Sequence, residues 1–117
     1  MVALSGELGS GKTTFTQGFA EGLGITSRIL SPTFILMRSY ELEDPGRSFY
    51  HIDLYRLEGG IKEEMANLGI FDIFDDPNDI VLIEWAEKAE GLLPEKTVWV
   101  RFDRINENER KIEATDF

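Results

Sequence analysis

The sequence predicts a three-layer α/β domain built on a mixed central sheet, and three observations carry that expectation. A glycine-rich turn stands between a short apolar run and a helical stretch near the N-terminus. The run Ile80-Val81-Leu82-Ile83 is continuous, aliphatic and mostly β-branched, as in a strand buried on both faces of a parallel sheet. Two loosely alternating segments flank Asp44-Pro45-Gly46, so an antiparallel hairpin is expected beside the parallel strands. At 117 residues, 42% of them apolar and eight of them Phe, the chain is expected to be one domain over 1–117 with a single core.

Along the chain, Val2-Ala3-Leu4 is the first expected strand and Thr13–Leu23 the first helix, with Gly24 suited to close it. Residues 26–33 read as a loop, since Pro32 prevents regular structure. Phe34–Leu42 and Ser48–Asp53 are the two hairpin strands. Ile61–Leu68 reads as a helix stopped at Gly69, and Ile70–Phe74 as a further helical turn. The aliphatic strand ends at Glu84, and Ala86–Leu92 suggests a short helix before Pro94. Thr97–Phe102 is the next strand, with Lys111–Ala114 pairing at an edge across the polar turn 106–110.

Gly6-Glu7-Leu8-Gly9-Ser10-Gly11-Lys12-Thr13 fits the phosphate-loop pattern G-x-x-x-x-G-K-[ST], in the strand–loop–helix context that gives the pattern a mechanism. Glycines let backbone N–H groups wrap a phosphate chain, which points to Leu8, Gly9, Ser10, Gly11, Lys12, Thr13 and Thr14 as nucleotide-binding residues. Lys12 is suited to neutralise the β- and γ-phosphates, the Thr13 hydroxyl to ligate Mg²⁺, and the helix N-terminus to add a favourable dipole. A nucleoside triphosphate, ATP in the leading reading, is the expected ligand.

Such a loop needs an acidic partner for Mg²⁺ at the carboxyl end of a neighbouring buried strand, and Glu84 meets that requirement. Trp85 follows it, either walling the site or packing the core. Alternation within Tyr50–Arg56 puts His51 and Asp53 on one face. They could orient a water or a metal shell, or simply form a hydrogen-bonded strand-end pair. Thr33, in Ser31-Pro32-Thr33, stands where a γ-phosphate sensor would lie, though Ser-Pro-Thr is also ordinary turn chemistry. The acidic stretch Asp72–Asp79 lacks the glycine and terminal glutamate of an EF-hand loop and reads as a solvated turn.

Twelve basic against twenty-two acidic residues give a net charge of −10, which opposes direct binding of nucleic acid and suits a basic protein partner or plain solubility. With no cysteine there are no disulfides, thiolate metal sites or cysteine nucleophiles, as is compatible with the cytoplasm. Neither a membrane-span pattern nor a signal-peptide pattern occurs. No N-K-x-D run for guanine recognition and no L-S-G-G-Q run is found.

Taken together, the phosphate loop, Ser31-Pro32-Thr33-Phe34, His51-Ile52-Asp53-Leu54-Tyr55-Arg56 and Leu82-Ile83-Glu84-Trp85-Ala86-Glu87 resemble the TsaE family, the bacterial ATPase of tRNA threonylcarbamoyladenosine synthesis. The resemblance implies a P-loop NTPase-like fold in which Lys12 and the loop amides hold ATP and Thr13 with Glu84 ligates Mg²⁺. It places Thr33 in a switch-like loop and Asp53 near the γ-phosphate, so Lys12, Thr33, Asp53 and Glu84 form the implied catalytic set. TsaB and TsaD are the implied partners, with tRNA met only through their complex and hydrolysis resetting it between turnovers. Members carry a helix and a strand before the phosphate-loop strand that contribute to the nucleotide pocket, whereas only five residues precede Gly6 here. A small-molecule kinase and a non-hydrolysing assembly switch are the alternatives; the short chain offers little room for a kinase's acceptor pocket and lid.

Overall fold

The computed structural model describes residues 1–6, 11–25, 36–44 and 46–115. One six-stranded sheet organises them, comprising β1 (Val2–Gly6), β2 (Met37–Glu41), β3 (Ser48–Asp53), β4 (Ile80–Glu84), β5 (Val98–Arg104) and β6 (Arg110–Ala114). Across the sheet the order is β2-β3-β4-β1-β5-β6. The four inner strands run parallel, and an antiparallel hairpin closes each edge. The expected mixed α/β sheet is therefore present, with β1 between β4 and β5.

Helix α1 (Lys12–Gly22) covers one face, and α2 (Ile61–Asn67), α3 (Ile70–Phe74) and a 3₁₀ turn at Ala86–Ala89 lie on the other side of the chain's core. Strand alternation sorts the apolar residues between the two layers. Leu4, Phe49, Leu82, Val100 and Phe102 are buried with Ala20 of α1. Ala3, Ile52, Leu54, Val81 and Ile83 are buried with Met65, Ile70, Ala86 and Ala89. Phe15 meets Phe102 edge-on at 5.4 Å between ring centroids, and Phe19 meets Phe49 at 5.8 Å. These aromatic contacts fix α1 along the sheet.

Local chemistry sets the ends of the elements. Gly24 is left-handed, its N–H donates to Glu21 O, and the Ile25 N–H reaches back to Ala20 O, a Schellman closure of α1. Gly69 closes α2 the same way at its first bond, donating to Ala66 O, and then starts α3. Boundaries differ modestly from the sequence reading: α1 begins at Lys12, β2 at Met37, and β5 runs on to Arg104. The segment after β4 is a 3₁₀ turn over Ala86–Ala89 in place of a helix to Leu92. Such a turn is too short to form the ladder of an α-helix. Of the expected strand Phe34–Leu42, the first two residues lie outside the described residues.

Candidate functional site

The parallel register brings the carboxyl ends of β1, β3 and β4 to one rim. Leu4 is level with Glu84, and Glu84 is level with Asp53. Paired residues of adjacent strands share a face, so Leu4, Glu84, Asp53 and His51 all stand on the α1 side of the sheet. Gly6 ends β1 with φ at 140°, and a Cβ there would lie 2.4 Å from the Phe102 carbonyl oxygen. Close approach to β5 thus demands glycine at the entrance to the phosphate loop. Gly11 is left-handed at the start of α1, and the first helical turn carries no acidic residue. Its first amides meet no side-chain cap and no carboxylate of their own helix's first turn, which suits an anion.

Lys12 is only 5% exposed. Its Nζ donates to the Gly6 carbonyl at 2.5 Å and lies 3.7 Å from the centroid of the Trp85 ring. Burial holds its ammonium below the usual lysine range, and Glu87, Glu84 and Asp53 pull it back upward. Glu84 is 5% exposed, and its Oε2 accepts a hydrogen bond from His51 Nε2 at 2.5 Å. His51 is itself buried, and its Nδ1 has no hydrogen-bond partner among the described residues. Asp53 accepts the Tyr55 N–H at 2.9 Å. Burial raises its carboxyl above the ordinary range, and the neighbouring Glu84 raises it further, against the Tyr55 hydrogen bond and the charges of His51 and Lys12.

Of the residues expected from sequence, Lys12, Asp53 and Glu84 meet around this rim, electrostatically coupled to one another. Gly11, Thr13 and Thr14 stand beside them at the start of α1. Leu8, Gly9, Ser10 and Thr33 lie outside the described residues. Of the two alternatives left open for His51 and Asp53, the hydrogen-bonded pair between them is not the one formed: His51 pairs with Glu84, the carboxylate that the register of β3 on β4 brings to the same face.

Glu87 escaped the sequence reading, whereas Trp85 was read as either walling the site or packing the core. Glu87 Oε2 accepts the Gly6 N–H at 3.1 Å and stands near Lys12, fastening the loop's first residue to the segment after β4. Trp85 packs its ring over Lys12 from a left-handed backbone. Their proximity to Glu84 in sequence was the available signal. A hollow of about 450 Å³ opens beside Gly11, Thr14 and Phe15, walled across by Phe102, Asn108 and Arg110.

Among the described residues no group of three or more His, Cys, Asp or Glu side chains is arranged to hold a metal ion. Mg²⁺ keeps several waters and takes one or two protein oxygens together with substrate phosphates. Glu84, buried and hydrogen-bonded to His51 one strand from β1, has the chemistry of such a ligand, and Thr13 at the helix start is the residue that could add a hydroxyl. Among the described residues no helix is long and apolar enough to cross a membrane.

A mixed six-stranded sheet with a parallel core and helices on both faces defines an α/β protein, and the sequence Gly6–Thr13 between β1 and α1 fits the phosphate-loop pattern. Comparison with known proteins then narrows the class. The family model for threonylcarbamoyl adenosine biosynthesis protein TsaE matches residues 1–112. The tRNA threonylcarbamoyladenosine biosynthesis protein TsaE of Haemophilus influenzae is 45% identical over 103 residues, which cover 88% of this chain and 62% of the relative. Its counterpart from Bacillus subtilis is 41% identical over 115 residues, covering 98% of this chain and 68% of the relative. The crystal structure of Bacillus subtilis YdiB superposes with a TM-score of 0.65 at 37% identity, covering 95% of this chain and 64% of that one. The chain belongs to the TsaE family. It spans a little under two thirds of the length of the Haemophilus influenzae relative, at 62%.

Proposed function

We propose that this chain binds and hydrolyses ATP with Mg²⁺, in support of the TsaB–TsaD step of tRNA threonylcarbamoyladenosine synthesis. The observation that carries the reading is the convergence of Lys12, Glu84 and Asp53 on the rim where the uncapped start of α1 emerges. A triphosphate laid against that helix start meets backbone amides, the Lys12 ammonium and the Thr13 hydroxyl. Thr13 and Glu84 would hold Mg²⁺, which when bound would supply positive charge against the phosphates. The hollow between α1 and the β5–β6 hairpin is the space available for ribose and base. Asp53, poised by burial to accept a proton more readily than an ordinary aspartate, would orient the attacking water.

Phosphate release from MgATP, measured with the chain alone and with TsaB and TsaD added, tests the reading. The expected result is slow release alone and faster release with the partners. Bound ATP without release in either condition would leave an assembly switch, and release only with an added phosphate acceptor would indicate a kinase. The proposed setting is cytoplasmic, where ATP and tRNA are both found.

A further inference from the structure

Trp85 is the one non-glycine residue with positive φ among the described residues, at 59°. A bulky aromatic adopts that backbone only when its surroundings over-determine it, and such residues gather at functional sites. Here the result is specific. The indole face receives the Lys12 ammonium at 3.7 Å from the ring centroid, while Gly6 O accepts a hydrogen bond from the same nitrogen at 2.5 Å. The ring is held in turn: Tyr55 packs against it at 5.3 Å between centroids, and Lys88 ties down the Tyr55 and Leu57 carbonyls at 2.7 and 2.8 Å.

We propose that Trp85 is a positioning residue for Lys12, fixing the ammonium at the first residue of the phosphate loop before a nucleotide arrives. The proposal rests on the nucleotide-binding reading above. A free lysine side chain loses much rotamer freedom when a ligand captures it, and a side chain already held loses less. An aromatic face suits the task because it attracts a cation without neutralising it. A carboxylate in the same place would compete with the phosphates for the charge, whereas the indole leaves that charge whole. The left-handed backbone at position 85 breaks the line of β4 directly after Glu84, at the residue whose ring meets the Lys12 ammonium.

Three chains decide the matter: wild type, Trp85→Phe and Trp85→Leu. In the nucleotide-free wild-type protein, the Lys12 Cε protons are expected upfield of those of the other lysines, from the ring current, and this shift is expected to vanish in Trp85→Leu. Calorimetric titration with MgATP is expected to give affinity about tenfold weaker in Trp85→Leu and within about threefold of wild type in Trp85→Phe. A ring that only packs the core would make both variants lose affinity in proportion to their melting temperatures. Equal or tighter ATP binding by folded Trp85→Leu, or no ring-current shift at Lys12, would overturn the proposal while leaving the nucleotide reading intact. No ATP binding by the wild-type chain would overturn that reading and the proposal with it.

Discussion

Lys12 carries a cation into a place that disfavours it. Its ammonium is almost wholly withdrawn from water, and the desolvation that lowers its pKa is offset only partly by Glu87, Glu84 and Asp53. A triphosphate would complete the compensation with hydrogen bonds between full charges, each worth about 1.5–3 kcal/mol. Lys12→Ala is therefore expected to weaken ATP binding about a hundredfold by calorimetry, and unchanged affinity would withdraw the phosphate-loop assignment. Asp53 presents the opposite charge with the same problem. Its carboxyl is raised above the ordinary value, so its stability contribution is fully present at low pH and is lost as pH rises through the folded pKa. Ionised Asp53 is then a cost near neutrality. Asp53→Asn keeps an oxygen acceptor for the Tyr55 N–H and removes that cost. Its melting temperature is expected to equal or exceed wild type near pH 7, the gap closing toward about pH 3, while turnover with TsaB and TsaD falls. Unchanged turnover would remove Asp53 from the catalytic set. Lys12, Asp53 and Glu84 were legible because each stands at a strand or helix end within a local pattern. Trp85 over Lys12 and Glu87 on Gly6 were not, since both contacts span more than seventy residues and one needs a backbone conformation that tryptophan rarely takes.

The pairing of β3 with β4 decides what the carboxylates can do. Level register places Asp53 beside Glu84, and the residue two positions back, His51, reaches Glu84 Oε2. A histidine fixed on one oxygen orients the carboxylate, the arrangement that supports a metal ligand. Glu84→Ala is expected to slow hydrolysis more than it weakens ATP binding, and to raise the Mg²⁺ concentration needed for half-maximal rate. His51→Ala is expected to raise that Mg²⁺ requirement about tenfold with Glu84 still present. Equal Mg²⁺ dependence in wild type and both variants, read from phosphate release at varied metal, would count against Glu84 as the ligand. Alternation within β3 correctly placed His51 and Asp53 on one face, because a period of two is a local property. The neighbouring strand and its register are not local, so nothing between Tyr50 and Arg56 could name the carboxylate that His51 holds. The glycine closures of α1 and α2 were legible for the same reason that the register was not, for each needs only its own few residues.

The sheet as a whole gathers this chemistry on one rim and leaves the charge elsewhere unbalanced. The mixed α/β character could be read from one aliphatic strand and one turn, but the insertion of β1 between β4 and β5 could not. That order joins strands some eighty residues apart, and it is what puts Glu84 next to the phosphate-loop strand. The exposed β6 adds both signs of charge, Lys111 being paired with Glu113 at 2.9 Å. With a net charge of −10, the chain presents to a nucleic-acid backbone a repulsion that Mg²⁺-bound nucleotide at a single rim would not reverse. Binding of tRNA by a protein depends on releasing counterions from phosphates, which needs clustered cations. Fluorescence anisotropy of labelled tRNA is therefore expected to stay flat on adding this chain alone at about 0.15 M salt, and to respond only when TsaB and TsaD are present. Lowering the salt should not rescue binding, because weaker screening strengthens the repulsion. Saturable binding by the chain alone, weakening as salt rises, would reveal a basic groove and overturn the expectation that tRNA is met only through the complex.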